Sequence, residues 1–307
     1  MNHVFGPVRS RRLGMSLGVD LVPWKTCSLD CAYCECGITT EKTSELKQWV
    51  DIQEVLSELD EFLKENKNIN FVTLSGSGEP LLHSDAGKVI DFVRNNYPEI
   101  KTAILTNSTT LHIPGVIDSI MNAHLIMPSL DAVSEDVFIK LNRPADGITA
   151  DMVIEGISLL VKQFRGEIRL EIFLADGINN TEAELSKLAE TVKKLGIRNV
   201  QLNSLDRPGA LPWVKPLSGK QLLEAAAYFE NPEIITRNWN KSDTSTRQDN
   251  PLPIIISGLK RRPQTLQDIM AVTGFDEYDA EKIMELALRS GSVKTKLIDG
   301  TVFYTVE

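Results

Sequence analysis

The stretch Leu17-Gly-Val-Asp-Leu-Val-Pro-Trp-Lys-Thr-Cys27-Ser-Leu-Asp-Cys31-Ala-Tyr-Cys34-Glu-Cys36 decides the reading of this chain. It opens with a short apolar run, Leu17–Val22, of the kind that forms a strand buried on both faces. It then delivers four cysteines within ten residues, and the chain of 307 residues has 4 in all. A secreted disulfide framework spreads its cysteines to close long loops. Four thiols in one loop point instead to a metal or cluster site in a reducing compartment.

Structural zinc normally recruits two separated ligand pairs. Here there is no second pair and no neighbouring His. Cys27, Cys31 and Cys34, spaced by three and then two residues, suit one corner of a cuboidal 4Fe–4S cluster. Three thiolates for four irons leave one iron open to a small molecule. Cys36 follows Cys34 by too little for easy simultaneous ligation. It reads as a free or buried thiol, or as a group that caps the open iron transiently.

Five further apolar runs follow: Phe71–Leu74, Thr102–Leu105, Leu125–Met127, Ile168–Leu174 and Val200–Leu202. Helical patterns alternate with them over Ile52–Glu65, Asp85–Asn95, Ile113–Met121, Ala150–Phe164 and Glu182–Leu195. Ser84 is the expected cap of the second helix, and Gly196 the stop of the fifth. Repeated βα units predict an α/β fold with a parallel sheet. Six units are too few for a closed eight-fold barrel and fit a partial (β/α)6 TIM-like barrel. The polar segment Asp243–Asn250 reads as a linker, dividing residues 1–242 from residues 251–307. Beyond it, helices are expected over Ile254–Lys260 and Asp279–Ser290, with another opened by a Thr265/Asp268 capping box. A hairpin is expected at Asp299-Gly300. Three helices and a hairpin predict a C-terminal winged-helix-like domain.

The Cys27-x3-Cys31-x2-Cys34 motif, with Tyr33 before its third cysteine, resembles that of the radical S-adenosylmethionine (SAM) superfamily. The resemblance covers roughly residues 15–210. Gly76-Ser77-Gly78-Glu79-Pro80 is similar to the family's Gly-Gly-Glu-Pro segment, with Ser77 replacing the first Gly. Ser10–Gly14 and Leu17–Pro23 look like a single-cluster subgroup related to wybutosine-synthesis oxidoreductases. The resemblance implies a 4Fe–4S cluster that chelates SAM, reductive cleavage to a 5′-deoxyadenosyl radical, and hydrogen abstraction from a substrate that the sequence does not identify. It also implies that the Gly76, Gly78 and Glu79 region meets the methionine amine, and that Asn107 and Ser129 meet the ribose or carboxylate. Tyr33, Asp131 and Asn203 join them as candidate cofactor contacts, because chemistry gathers at the C-terminal ends of barrel strands.

Plainer readings stand beside these. Glu79 serves equally well as an acceptor of backbone hydrogen bonds at a turn. Asp131 is a natural cap for a helix beginning after Ala132. Arg143 either ends a helix or reaches an anionic substrate. The four histidines share no ligating spacing. No catalytic residue is singled out.

Lys+Arg number 33 against 42 Asp+Glu, a net charge of −9, which argues against a general nucleic-acid binder. No apolar run reaches the ~18 residues of a membrane span. The N-terminus lacks a secretory apolar core, so the expected compartment is the cytoplasm. Arg9, Arg11, Arg12 and Lys25 form a basic cluster suited to docking an acidic, low-potential electron donor of flavodoxin or ferredoxin type. Two rival readings remain: an iron–sulfur-containing winged-helix regulator, and an activating enzyme for a glycyl radical partner. The acidic C-terminal segment weighs against the first, with seven Lys/Arg and eight Asp/Glu in residues 251–307.

Overall fold

The computed structural model describes residues 2–10, 12–66, 68–235, 251–298 and 300–306. The expected linker Asp243–Asn250, Arg11 and the turn residue Asp299 lie outside them, as does the side chain of Arg9. The strands are β1 (Val4–Ser10), β2 (Gly14–Val19), β3 (Thr26–Cys27), β4 (Glu41–Lys42), β5 (Phe71–Leu74), β6 (Lys101–Thr106), β7 (Leu125–Pro128), β8 (Glu167–Ile168), β9 (Leu170–Leu174), β10 (Val200–Ser204), β11 (Glu233–Ile234), β12 (Lys294–Ile298) and β13 (Thr301–Thr305). The main sheet runs β1-β2-β5-β6-β7-β8, and a second runs β11-β10-β9. A parallel bridge from Ser129 to Glu171 links the two. From β2 to β11 every pairing within these two sheets is parallel, as βα alternation demands, and the fold is a mixed α/β one. The sequence pattern does not reveal β1, which pairs antiparallel with β2 as an edge strand. Its Gly6-Pro7 pair looks like a turn, but the register shift between Phe5 and Val8 accommodates it.

Helices α1 (Ile52–Glu65), α2 (Ala86–Asn96), α5 (Ala150–Gln163) and α6 (Glu182–Leu195) match the expected ones to within a residue or so. Asp51 caps α1 through Gln53 N, and Gly196 ends α6 at φ +72°. Ser84 does not cap α2. Asp85 takes the N-cap position without a side-chain cap bond, because its carboxylate is bound to Gln48 and Lys88. The Ile113–Met121 pattern yields only α3 (Val116–Ser119), since left-handed Gly115 immediately precedes it. The helix read as following Ala132 is α4 (Glu135–Asn142), and it ends at Arg143 with φ +52°. Its N-cap is Ser134, which excludes Asp131 from that role. A short α7 (Gly219–Ala226) follows β10.

Alternation along the strands separates two faces. Leu17, Val72, Ile104 and Ile126 pack into the large core shared with the helices. Ala103, Leu125 and Met127 line the opposite face with Leu13, and there Ser16 Oγ meets Thr73 Oγ1 at 2.6 Å. This second face is walled by the C-terminal helices α8 (Leu252–Arg261) and α9 (Leu266–Thr273), which pack against β1. Together with α10 (Glu277–Arg289) they enclose a small core of Ile255, Leu259, Ile269, Met284, Ala287 and Val293. The Thr265/Asp268 capping box and the β12–β13 pairing form as expected. Among the described residues no helix is long and apolar enough to cross a membrane.

Candidate active site

The cysteines lie in the loop that leaves the C-terminal end of β2. Backbone bonds hold this loop from several sides: Ala32 N donates to Leu141 O, Ala145 N to Ser28 O, and Leu211 N to Ala32 O. Each of three sulfurs receives one N–H donor from a different direction. Asn107 Nδ2 lies 3.5 Å from Cys27 Sγ, Asn142 Nδ2 3.6 Å from Cys31 Sγ, and Lys25 Nζ 3.1 Å from Cys34 Sγ. Lys25 is buried to place its ammonium there. Cys36 lies beside Cys34, with its own Sγ 3.7 Å from Gly76 O. Burial pushes the free Cys27 thiol up to about 12 and Cys31 well above its usual range. The hydrogen bond from Cys36, helped by Lys25, pulls Cys34 down to about 6. Among the described residues no three His, Cys, Asp or Glu side chains converge to share a single metal ion. Cluster ligands need no such convergence, since each binds its own iron.

Gly76–Pro80 extends from the end of β5 onto the cysteine loop. Gly76 has φ +143°, and a Cβ there would meet the Asp20 carboxylate at 2.5 Å. At Gly78 a Cβ would fall 1.9 Å from Thr26 O, beside Cys27. Only glycine allows this approach. Ser77 adds a hydroxyl that a glycine lacks, and it donates to Asp20 beside the backbone N–H, fixing the turn. Glu79 is buried, and its carboxylate accepts from Leu81 N, Thr106 Oγ1 and Asn107 N. Desolvation pushes it up to about 7 against the pull of those bonds. The turn-organising reading of Glu79 is therefore the one its side chain fulfils.

Tyr33, Asn107, Ser129 and Asp131 come together around one small cavity. Their polar atoms are largely engaged. Asp131 accepts from Tyr33 OH, Asn142 Nδ2 and Phe173 N, and the Tyr33 ring stacks on Phe173 at 3.8 Å. Asn107 bonds Ser28 and Thr109 besides Cys27. Asn203 Oδ1 accepts from Ser204 N within its own strand. Arg143 both ends α4 and pairs with Asp30 at 2.8 Å. His83 and His124 are satisfied by backbone partners.

The basic cluster is not a surface patch at the two members that can be described. Lys25 turns to Cys34, and Arg12 pairs with Glu171 inside the fold. Sequence reasoning also missed Asn142 and Asp20, which no local pattern marks.

A cavity of ≈ 250 Å³ lies between the second sheet face and α8–α9, reaching Cys36 and Gly76 at one end. Arg207, just past β10, is buried between Glu35 at 3.3 Å and Asp268 of α9 at 2.9 Å.

A family model for the Radical SAM superfamily matches residues 21–201, more than half of the chain. A UPF0026 protein of Methanocaldococcus jannaschii is 30% identical over 99% of this chain and 96% of its own length. A Brachyspira hyodysenteriae protein named GTPase Obg is 32% identical over 99% of this chain, which spans 45% of that relative. Among solved structures, a radical SAM methyltransferase from Sphaerobacter thermophilus superposes with a TM-score of 0.54 at 16% identity, over 73% of this chain and 67% of its own. At that identity the likeness concerns the fold.

Proposed function

Because the chain belongs to the radical SAM superfamily, a family of enzymes, we propose that Cys27, Cys31 and Cys34 hold a 4Fe–4S cluster whose open iron takes S-adenosylmethionine. When bound and reduced, that pair supplies a 5′-deoxyadenosyl radical that abstracts hydrogen from substrate. The observation that carries the reading is the set of three N–H donors, one aimed at each of these sulfurs. Donors of this kind stabilise negative charge on ligating sulfur and tune a cluster's potential. Such placement has no purpose for three inert buried thiols.

Within this reading the chain's own residues divide the work. Gly76 and Gly78 bring backbone close to the cysteine loop, while Asp20, Ser77 and Glu79 hold that backbone in place. Asn107, Ser129, Asp131 and Asn203 lie at strand ends, and Tyr33 in the cysteine loop, where SAM would be received, with Asp131 and Tyr33 acting as positioning residues. We assign residues 1–242 to a partial (β/α)6 barrel domain and residues 251–307 to a winged-helix-like domain, whose α8 and α9 wall the second sheet face. The packing of α8 and α9 onto β1 supports a structural role for that domain over DNA binding. A low-potential flavodoxin or ferredoxin supplies the electron.

Anaerobic reconstitution with iron and sulfide tests the reading. Reduced protein should give an electron paramagnetic resonance signal that changes when SAM is added, and should release 5′-deoxyadenosine. Serine at Cys27, Cys31 or Cys34 should abolish that release. Protein that takes up zinc alone, or iron whose signal ignores SAM, overturns it.

A further inference from the structure

We propose that the ≈ 250 Å³ cavity between the sheet and α8–α9 is the substrate chamber, and that Arg261 there grips an anionic group, a carboxylate or phosphate, on a small substrate. The proposal rests on the cysteine loop being the site of radical formation, since the chamber opens onto that loop at Cys36 and Gly76.

The walls are unequal in charge. Arg12, Arg207, Arg261 and Arg262 line the cavity against two carboxylates, Glu35 and Asp268. Arg12 pairs with Glu171. Arg207 takes both Glu35 and Asp268, and Arg262 shares the same Glu35 oxygen at 3.2 Å. Arg261 is less well served. Its buried Nε has no hydrogen-bond partner, a condition that Arg207 Nε shares. The carboxylate facing Arg261, Asp20, stands 3.7 Å away and already accepts two bonds from Ser77. Nε itself is sealed and turned to Asp20, so the donors left for an incoming anion are those of Nη2.

The geometry is prepared for that anion. The Arg261 guanidinium lies 3.9 Å over the Phe5 ring, and its Nη1 donates to Ser257 O at 3.2 Å. Held flat in this way, the fork loses little freedom when it binds a planar or tetrahedral oxyanion. The rest of the lining is mainly short hydroxyls and apolar side chains, such as Ser16, Thr73 and Leu105, with the Gln264 amide and the Cys36 thiol. A chamber of this volume takes a metabolite-sized molecule. The C-terminal helices thereby carry the residue that fixes the substrate's orientation beside the cysteine loop.

Thermal melts of the anaerobically reconstituted protein test this, with succinate and glycerol 3-phosphate as anionic probes and succinamide and glycerol as their neutral counterparts. At least one anion should raise Tm saturably, identifying carboxylate or phosphate chemistry, and the neutral compounds should not. Arg261→Gln should weaken the apparent affinity by about tenfold, the loss of one charge-assisted bond, and Arg261→Lys by less. Equal shifts from charged and neutral probes, no shift from either anion, or unchanged affinity in Arg261→Gln overturns the proposal. If that variant does not fold, the charged-against-neutral comparison on the unaltered protein decides alone. Release of 5′-deoxyadenosine, measured in parallel, reports separately on the radical chemistry.

Discussion

Glu79 sits fully enclosed among donors, and burial nevertheless raises it to about 7. Between its ordinary value of 4.5 and that figure, the unfolded chain is ionised while the folded one keeps the proton. The folded state then binds more protons, so stability falls as pH rises across this window and levels off above it. The total is about 3 kcal/mol. In cluster-free protein the stability difference between the unaltered chain and Glu79→Gln, read by urea unfolding, should fall from pH 5 to pH 8, a comparison that cancels the opposite contribution of Cys34. An identical slope in both proteins would refute a protonated Glu79. At this scale the cysteines and Gly76–Pro80 were readable because their meaning lies in contiguous spacing. The pairing of donors with sulfurs was not: Asn142, 111 residues from Cys31, carries no local signal, and Asn107, 80 from Cys27, and Lys25 were singled out for other roles.

Elements were legible where local chemistry and burial agree. In α1, an Asp51 cap leads into buried Ile52, Val55, Leu59, Phe62 and Leu63, and the pattern alone fixes both ends. In α4, eight residues bury only Phe138, Leu141 and Asn142, too few turns for a period to emerge. The α9 cap was fully readable. Thr265 Oγ1 accepts from Asp268 N, while the Asp268 side chain returns to Thr265 N. Thr265→Ala should cost about 1 kcal/mol in chemical denaturation, the usual worth of a lost N-cap. Because Asp268 also receives Arg207, the same change should loosen the attachment of α9 to the cysteine-bearing layer.

Across the whole molecule, βα alternation revealed the parallel order of the strands. It could not reveal that the last helices pack on the first strand, since no pattern in a linear chain links such distant segments. Arg207 carries much of that union, bridging Glu35 beside the cysteines to Asp268. Arg207→Met should leave Asp268 without its arginine partner, while Glu35 keeps Arg262, and cost about 3 kcal/mol. Hydrogen exchange should quicken in α8 and α9 while β5, β6 and β7 keep their protection. Unchanged exchange in α9 would mean that apolar packing on β1 suffices.

Packing of α8 and α9 on β1 also orders events during synthesis. Domains form from the N-terminus as the chain emerges, so the thiol-bearing loop leaves the ribosome long before the helices that wall its far side. The nascent protein therefore passes through an interval in which its sulfurs are assembled and unroofed, open to loading. The roof closes only once α8 and α9 have themselves emerged.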